Sequence, residues 1–184
     1  MRYSSRHPQL NQEDVLHVYR KTNVLSKTKF ESDVSTIQFF DVDGQVFNQI
    51  SKSERLIEKS NGKLVIYVVS LSEYVQPSKK NPEKSRFQES LSLFEKLISM
   101  KCLEELPWLI IFNKSDVFQE KVDRFGLKYY FEEFQEEVDE PVEFLTRKYL
   151  SKVQNLEYEY EIITAFEQNS IVKVIKKMEE KLKL

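Results

Sequence analysis

Two uninterrupted apolar runs, Leu64 to Leu71 (LVIYVVSL) and Trp108 to Phe112 (WLIIF), constrain this chain more than any other feature of its sequence. A strand with one wet face alternates apolar and polar residues. A run without polar interruption belongs to a strand covered on both faces, as in a parallel sheet flanked by helices. Parallel neighbours need a crossover, and Phe87, Leu91, Phe94, Leu97 and Ile98 supply it by falling at i, i+4, i+7, i+10 and i+11, one face of an amphipathic helix. The second half repeats the alternation, with a helix predicted over Val138 to Val153, a strand over Tyr158 to Ile163 and a last helix over Asn169 to Leu184. Upstream, STIQFFDV (Ser35 to Val42) reads as a strand ending at the Asp43-Gly44 turn, and Val24 to Phe30 as its antiparallel neighbour across Glu31-Ser32-Asp33. The expected architecture is an α/β sandwich with a mostly parallel sheet and helices on both faces, and Gln76 to Lys84 forms an exposed loop.

Composition narrows the function classes. At 184 residues the chain fits one domain, and 40% hydrophobic residues with only 3 glycines and 5 prolines exclude a disordered chain. The 28 basic and 30 acidic residues are interspersed, so no basic face exists to neutralise a row of phosphates and nucleic acid is excluded as a partner. Cys102, the one cysteine, cannot form an internal disulfide or a cysteine-based metal site and reads as a core residue of a cytosolic protein. No apolar run reaches the ~20 residues of a membrane span, and Met1-Arg2-Tyr3 starts neither a signal peptide nor a myristoylation site.

Ligands of open α/β sheets collect beyond the carboxyl ends of the strands, which directs attention to DVDGQ (Asp41 to Gln45), NKSD (Asn113 to Asp116) and Ile163-Thr164-Ala165. In NKSD, a carboxylate at Asp116 can accept both the exocyclic amino and the ring N–H hydrogens of guanine, while Asn113 braces the loop and the Lys114 stem covers the base. In DVDGQ, Asp41 can hold a water on Mg²⁺, Gly44 can offer its N–H to a terminal phosphate and Gln45 can orient an attacking water. Each segment taken alone is equally well a polar loop after a strand. All three are expected at one edge of one sheet.

Together with their surroundings the segments resemble the heterotrimeric G-protein alpha subunits, from Asp14 onward. Asp14-Val15-Leu16 and Lys21-Thr22 resemble the family's linker and first switch, FFDVDGQ its second switch, and YVVSLSEYVQ (Tyr67 to Gln76) the strand and loop that follow. SRFQESLSLFEKLI (Ser85 to Ile98) resembles its third crossover helix and WLIIFNKSDVFQEKV (Trp108 to Val122) its guanine-reading strand and loop. Tyr130-Phe131 through Phe134, and Phe144 to Tyr149, continue the match in the following helices. Small GTPases share Asn-Lys-x-Asp but lack the LSEY and ESLSLF segments. The resemblance implies a Ras-like P-loop NTPase-type sandwich, one incomplete GTPase-like domain over residues 1–184 with a linker-like segment at 1–13. It also implies GTP/GDP with Mg²⁺ as ligand and cofactor, beta/gamma subunits and a receptor as partners, and a cytoplasmic location that can be peripheral at the inner face of the plasma membrane. On the same ground the nucleotide-binding residues are Asp41, Gly44, Asn113, Lys114, Asp116 and Ala165, whose N–H meets the guanine oxygen. The first switch is Leu16, Tyr19, Arg20, Lys21 and Thr22, the metal positions are Asn23 and, through water, Asp41, and Gln45 is catalytic.

The chain also departs from the family. No GxxxxGK[ST] loop occurs, since Gly44, Gly62 and Gly126 are its only glycines, and the inserted helical domain is absent, so an N-terminally short version is expected to bind phosphates weakly. Tyr19 stands where the family has its charge-stabilising arginine, with Arg20 one residue on; Asn23 replaces the metal-ligating threonine, beside Thr22; Asp43 replaces a glycine. Val46 to Lys63 is about three residues longer than in the family and lacks its tryptophan, and the last helix stops roughly two turns early. Two functions stay open: a GTP-hydrolysing switch, and a non-catalytic interaction module on the same fold.

Overall fold

The structure, a computed structural model, describes residues 25–31, 36–42, 50–79, 81–153 and 155–183. The expected positions Leu16, Tyr19, Arg20, Lys21, Thr22, Asn23, Asp43, Gly44 and Gln45 lie outside the described residues. The chain falls into two compact units, Met1–Asn48 and Gln49–Leu184.

In the first unit, β1 (Leu25–Glu31) and β2 (Thr36–Val42) form an antiparallel pair in which Leu25 faces Val42 and Glu31 faces Thr36. Phe30 and Phe39 are diagonal neighbours on one face and meet edge to face at 5.5 Å, while Lys27 sits 5.1 Å over the ring of its directly opposed partner Phe40.

The second unit runs α1 (Ile50–Ser60), β3 (Val65–Ser70), a 3₁₀ turn (Leu71–Val75), α2 (Arg86–Ile98), the one-turn α3 (Lys101–Glu104), β4 (Trp108–Asn113), α4 (Ser115–Phe125), α5 (Pro141–Leu150), β5 (Tyr158–Ile162) and α6 (Gln168–Leu182). The three strands form a parallel sheet in the order β3-β4-β5, with Val65 beside Trp108 and Trp108 beside Tyr158. Central β4 is buried from Trp108 to Phe112, which requires cover on both faces. On one face Tyr67 and Trp108 pack against Phe94 of α2 at 4.9 and 5.7 Å, and Phe112 against Tyr149 of α5 at 5.7 Å. The opposite face of β5 presents Glu159 and Glu161, which meet Lys177 of α6 at 2.7 and 3.3 Å; Lys181 joins Glu157 at 2.8 Å and Glu159 at 3.2 Å. The predicted sandwich is therefore the observed one. Trp108 lies at the bottom of this core, fully buried, its indole N–H donating to the Leu103 carbonyl at 3.2 Å.

Element ends follow local chemistry. Ser85 and Gln88 form a reciprocal capping box that starts α2, Pro141 occupies the first turn of α5, and Gly126 at φ 66 closes α4 in the left-handed region that favours glycine.

Three expectations are corrected. Asp41 is the penultimate residue of β2 in a two-stranded sheet, whereas Asn113 ends β4 of the three-stranded one, so the motifs do not share a sheet. No described strand hydrogen-bonds β2 to β3. The helix expected around Tyr130 to Phe134 is a series of turns, because Phe131 and Phe134 are each sunk in the core while Lys128 Nζ ties off the carbonyls of Glu132 and Phe134 at 2.7 and 2.9 Å. Cys102 is half-buried rather than core; burial first, then Glu54, pushes its thiol up from the ordinary range, which keeps it protonated.

Phe94 is fully buried and touches the rings of Tyr67, Trp108 and Tyr149. Phe94→Ala is expected to cost about 3–5 kcal/mol in urea unfolding. The β5–α6 ladder has a two-sided pH dependence. Lys177 holds Glu159 below the usual carboxylate range, and Glu159 in turn raises Lys177. The carboxylate contribution is present above the unfolded carboxylate pKa and lost as pH falls through the lowered one; the lysine contribution is lost as pH rises through the raised one. Glu159→Gln should thus cost under about 1 kcal/mol near neutrality, because the pair is partly exposed, and nothing once Glu159 is protonated. Urea midpoints of parent and variant across acid pH check this.

Candidate functional site

Two loops leave the carboxyl edge of the three-stranded sheet side by side, one from β4 into α4 and one from β5 into α6. They are joined at the backbone. The Ile163 N–H donates to the Phe112 carbonyl at 2.8 Å, which extends the β4–β5 pairing by one residue, and the Ser115 N–H donates to the Ile163 carbonyl at 3.2 Å. The first turn of a helix leaves N–H groups without intrahelical partners; here the neighbouring loop satisfies one of them.

Asn113 is the hinge of the arrangement. Its Oδ1 accepts the Lys114 N–H at 2.7 Å and the Ala165 N–H at 3.1 Å, so one amide oxygen fixes both loops. Lys114 is held at φ 63, a conformation that costs a side-chain-bearing residue about 1–3 kcal/mol and persists only where surrounding bonds over-determine it. That kink turns the chain from strand to helix within one residue. It leaves the Lys114 side chain exposed and places Asp116 in the first turn of α4, where the positive end of the helix dipole favours a carboxylate.

The Asp116 carboxylate is exposed and makes no hydrogen bond or ion pair with the described residues. Ala165 is exposed as well, but its N–H is already directed at Asn113. The edge is further tied to the 3₁₀ turn after β3. Lys121 Nζ donates to the Ser72 carbonyl at 2.8 Å, and burial, then the Lys114 cation, lowers its pKa against the opposing pull of Glu73. Glu73 is itself paired with Arg86 at 3.3 Å.

The structure thus brings Asn113, Lys114, Asp116 and Ala165 together in one unit and leaves Asp41, exposed at the end of β2, in the other. Sequence reasoning overlooked Ser115 and Thr164, whose hydroxyls meet at 2.9 Å between the loops, and Lys121. A hydroxyl residue inside each loop motif was the available clue to the first pair. Nothing in the spacing announces the second contact, which joins residues 49 apart. Among the described residues no group of three or more His, Cys, Asp or Glu converges to hold a metal ion, and no helix is long and apolar enough to cross a membrane.

Comparison with known proteins identifies a family. The family model for the G-protein alpha subunit matches residues 1–182. The guanine nucleotide-binding protein alpha-1 subunit of Saccharomyces cerevisiae is 30% identical over 142 residues, 77% of this chain and 29% of the relative. The alpha-1 subunit of Caenorhabditis briggsae is 30% identical over 147 residues, covering 77% and 40% of the two chains. The subunit alpha of Cryptococcus neoformans var. neoformans is 34% identical over 121 residues, covering 66% and 27%. The chain spans about a third of the length of these relatives. It belongs to the G-protein alpha subunit family, with the Ras-like α/β fold of that family's GTPase domain.

Proposed function

We propose that residues 1–184 form one incomplete GTPase-like domain of a guanine nucleotide-binding signalling protein, with the base read by the β4–α4 and β5–α6 loops. One observation carries this: Asp116 presents an exposed carboxylate without a partner among the described residues, on a loop that Asn113 locks to Ala165. A carboxylate accepts two parallel N–H hydrogen bonds from the amino and ring N–H groups of guanine and rejects adenine, which offers the wrong pattern. Lys114, left exposed by the left-handed turn, lays its stem over the base, and the Ala165 N–H, shared with Asn113, faces the base oxygen.

By the family resemblance, Asp41, Gly44 and the first-switch residues Leu16, Tyr19, Arg20, Lys21 and Thr22 serve nucleotide phosphates. Magnesium would be held through water by Asp41, with Asn23 alongside. No cluster of three carboxylate, His or Cys ligands exists among the described residues, so phosphate oxygens and water would supply most of its shell. The metal would supply charge neutralisation of the phosphates. Beta/gamma subunits and a receptor are the protein partners, through which the chain reaches the inner face of the plasma membrane.

Hydrolysis by these 184 residues alone falls far below that of a complete switch protein. Phosphoryl transfer depends on holding the terminal phosphate and stabilising its charge, and an arginine finger alone is worth roughly 10³ to 10⁵ in rate. The 184 residues contain no GxxxxGK[ST] loop and have Tyr19 at the arginine position. Water oriented by Gln45 then lacks a fixed target, and Asp43 adds repulsion.

Asp116→Asn should weaken guanine nucleotide binding about ten- to a hundredfold, the worth of hydrogen bonds to a charged acceptor, because the amide donates where guanine already donates. Titration of the purified chain with a fluorescent GDP measures this, and equal affinity in the variant would remove Asp116 from the site. Single-turnover GTP hydrolysis with Mg²⁺ should be undetectable in the parent, in Tyr19→Arg and in Gln45→Leu alike. Parent turnover abolished by Gln45→Leu would overturn the non-catalytic assignment.

A further inference from the structure

We propose that Ser115 and Thr164 form a clasp that positions the guanine-reading loops against each other, making them positioning residues for base discrimination. The inference rests on the assignment of the base site above.

Ser115 occupies the variable position of Asn-Lys-x-Asp and is the first residue of α4; Thr164 lies between the last residue pairing with β4 and Ala165. Their hydroxyl oxygens are 2.9 Å apart, within normal O–H···O geometry, and both residues are half-buried, where a hydrogen bond is less open to competition from water. Thr is branched at Cβ, which restricts its χ1 angle and so limits where its hydroxyl can point.

The location gives the pair its effect. Ser115 is adjacent to Asp116, and Thr164 is adjacent to Ala165. Around them run the Ser115 N–H to Ile163 carbonyl bond at 3.2 Å and the Ala165 N–H to Asn113 Oδ1 bond at 3.1 Å. Those two bonds fix backbone to backbone and backbone to Asn113. The hydroxyl pair adds a link between the side chains of the residues that directly precede the base-reading carboxylate and the base-facing N–H. Without it, the α4 N-terminus can rock on the Ile163 carbonyl, and the distance from Asp116 to the β5–α6 loop is no longer set. Guanine is distinguished from hypoxanthine only by its exocyclic amino group, which the Asp116 carboxylate must reach, so a loosened loop loses discrimination before it loses binding.

The test uses the full chain and four variants: Ser115→Ala, Thr164→Val, the double variant, and Ser115→Thr, which keeps the hydroxyl. The first readout is amide hydrogen exchange by NMR without nucleotide. In both single variants exchange at Ser115 and Ala165 is expected to rise about two- to tenfold, the range of one lost hydrogen bond, with Phe112 in the core unchanged. The double variant should match the singles, because one bond is broken in each, and Ser115→Thr should match the parent. The second readout is the ratio of GDP to IDP affinity, expected to fall several-fold in the single variants and to be restored in Ser115→Thr. Unchanged exchange at the two amides, or an increase spread equally over the core, would overturn the clasp. Faster loop exchange with an unchanged GDP/IDP ratio would overturn its role in discrimination. A parent that binds no guanine nucleotide would overturn the site assignment and the discrimination role together, while the exchange data would still decide whether the clasp exists.

Discussion

Everything in the larger unit depends on keeping β4 dry. Trp108 to Phe112 are buried on both faces and hydrogen-bonded to a parallel strand on each side, so every backbone group of the strand is paired where water cannot reach it. Helices α2 and α5 seal one face with aromatic rings; α6 covers the other from β5, where acidic residues on the strand meet lysines on the helix. Once the strand is fixed, its end is fixed as well, and Asn113 emerges at the sheet edge with its amide free to organise whatever follows.

Much of this could be read from the residues. WLIIF specifies a covered strand because no polar residue interrupts it, and the spacing of Phe87 to Ile98 specifies the crossover; LVIYVVSL, read the same way, instead forms an outer strand of the described sheet with Val68 exposed. The hairpin of β1 and β2 follows from the polar break at Glu31-Ser32-Asp33. The missed pieces have particular causes. The turns at Tyr130 to Phe134 carry aromatic residues three apart, which a helix and a set of core-anchored turns share; the Lys128 ammonium that satisfies the turn carbonyls is invisible to periodicity. α1 escaped because ISKSERLIEKS is dominated by polar residues and its apolar positions are few. In the site, the residue types at Asn113, Lys114, Asp116 and Ala165 carry their own chemistry, whereas the partnership of Ser115 with Thr164 is set by the parallel alignment of β4 and β5 and becomes visible only in three dimensions.

The candidate residues fall in two different units. On the proposed function, the residues that read a base stand on the three-stranded sheet, and Asp41, on the phosphate side, stands near the end of a two-stranded one. Recognition of a base needs shape and a few aligned donors and acceptors. Transfer of a phosphoryl group needs charge concentrated at a point. On the proposed function the first requirement falls to the loops braced by Asn113, and the second to a segment that carries Tyr19, Asn23 and Asp43.

The brace between Asn113 and Ala165 joins residues 52 positions apart, across α4, the turns after it, α5 and β5. Contacts of such sequence separation form late, since a long loop must be closed before they return any stabilisation. If the two loops read a base as proposed, a nascent chain that has not yet delivered β5 has no complete base site, however well β3, α2 and β4 have assembled. A nucleotide that binds there selects the finished unit over every partly folded form. It then raises the population of that unit by mass action, making the ligand a conditional stabiliser of the C-terminal half.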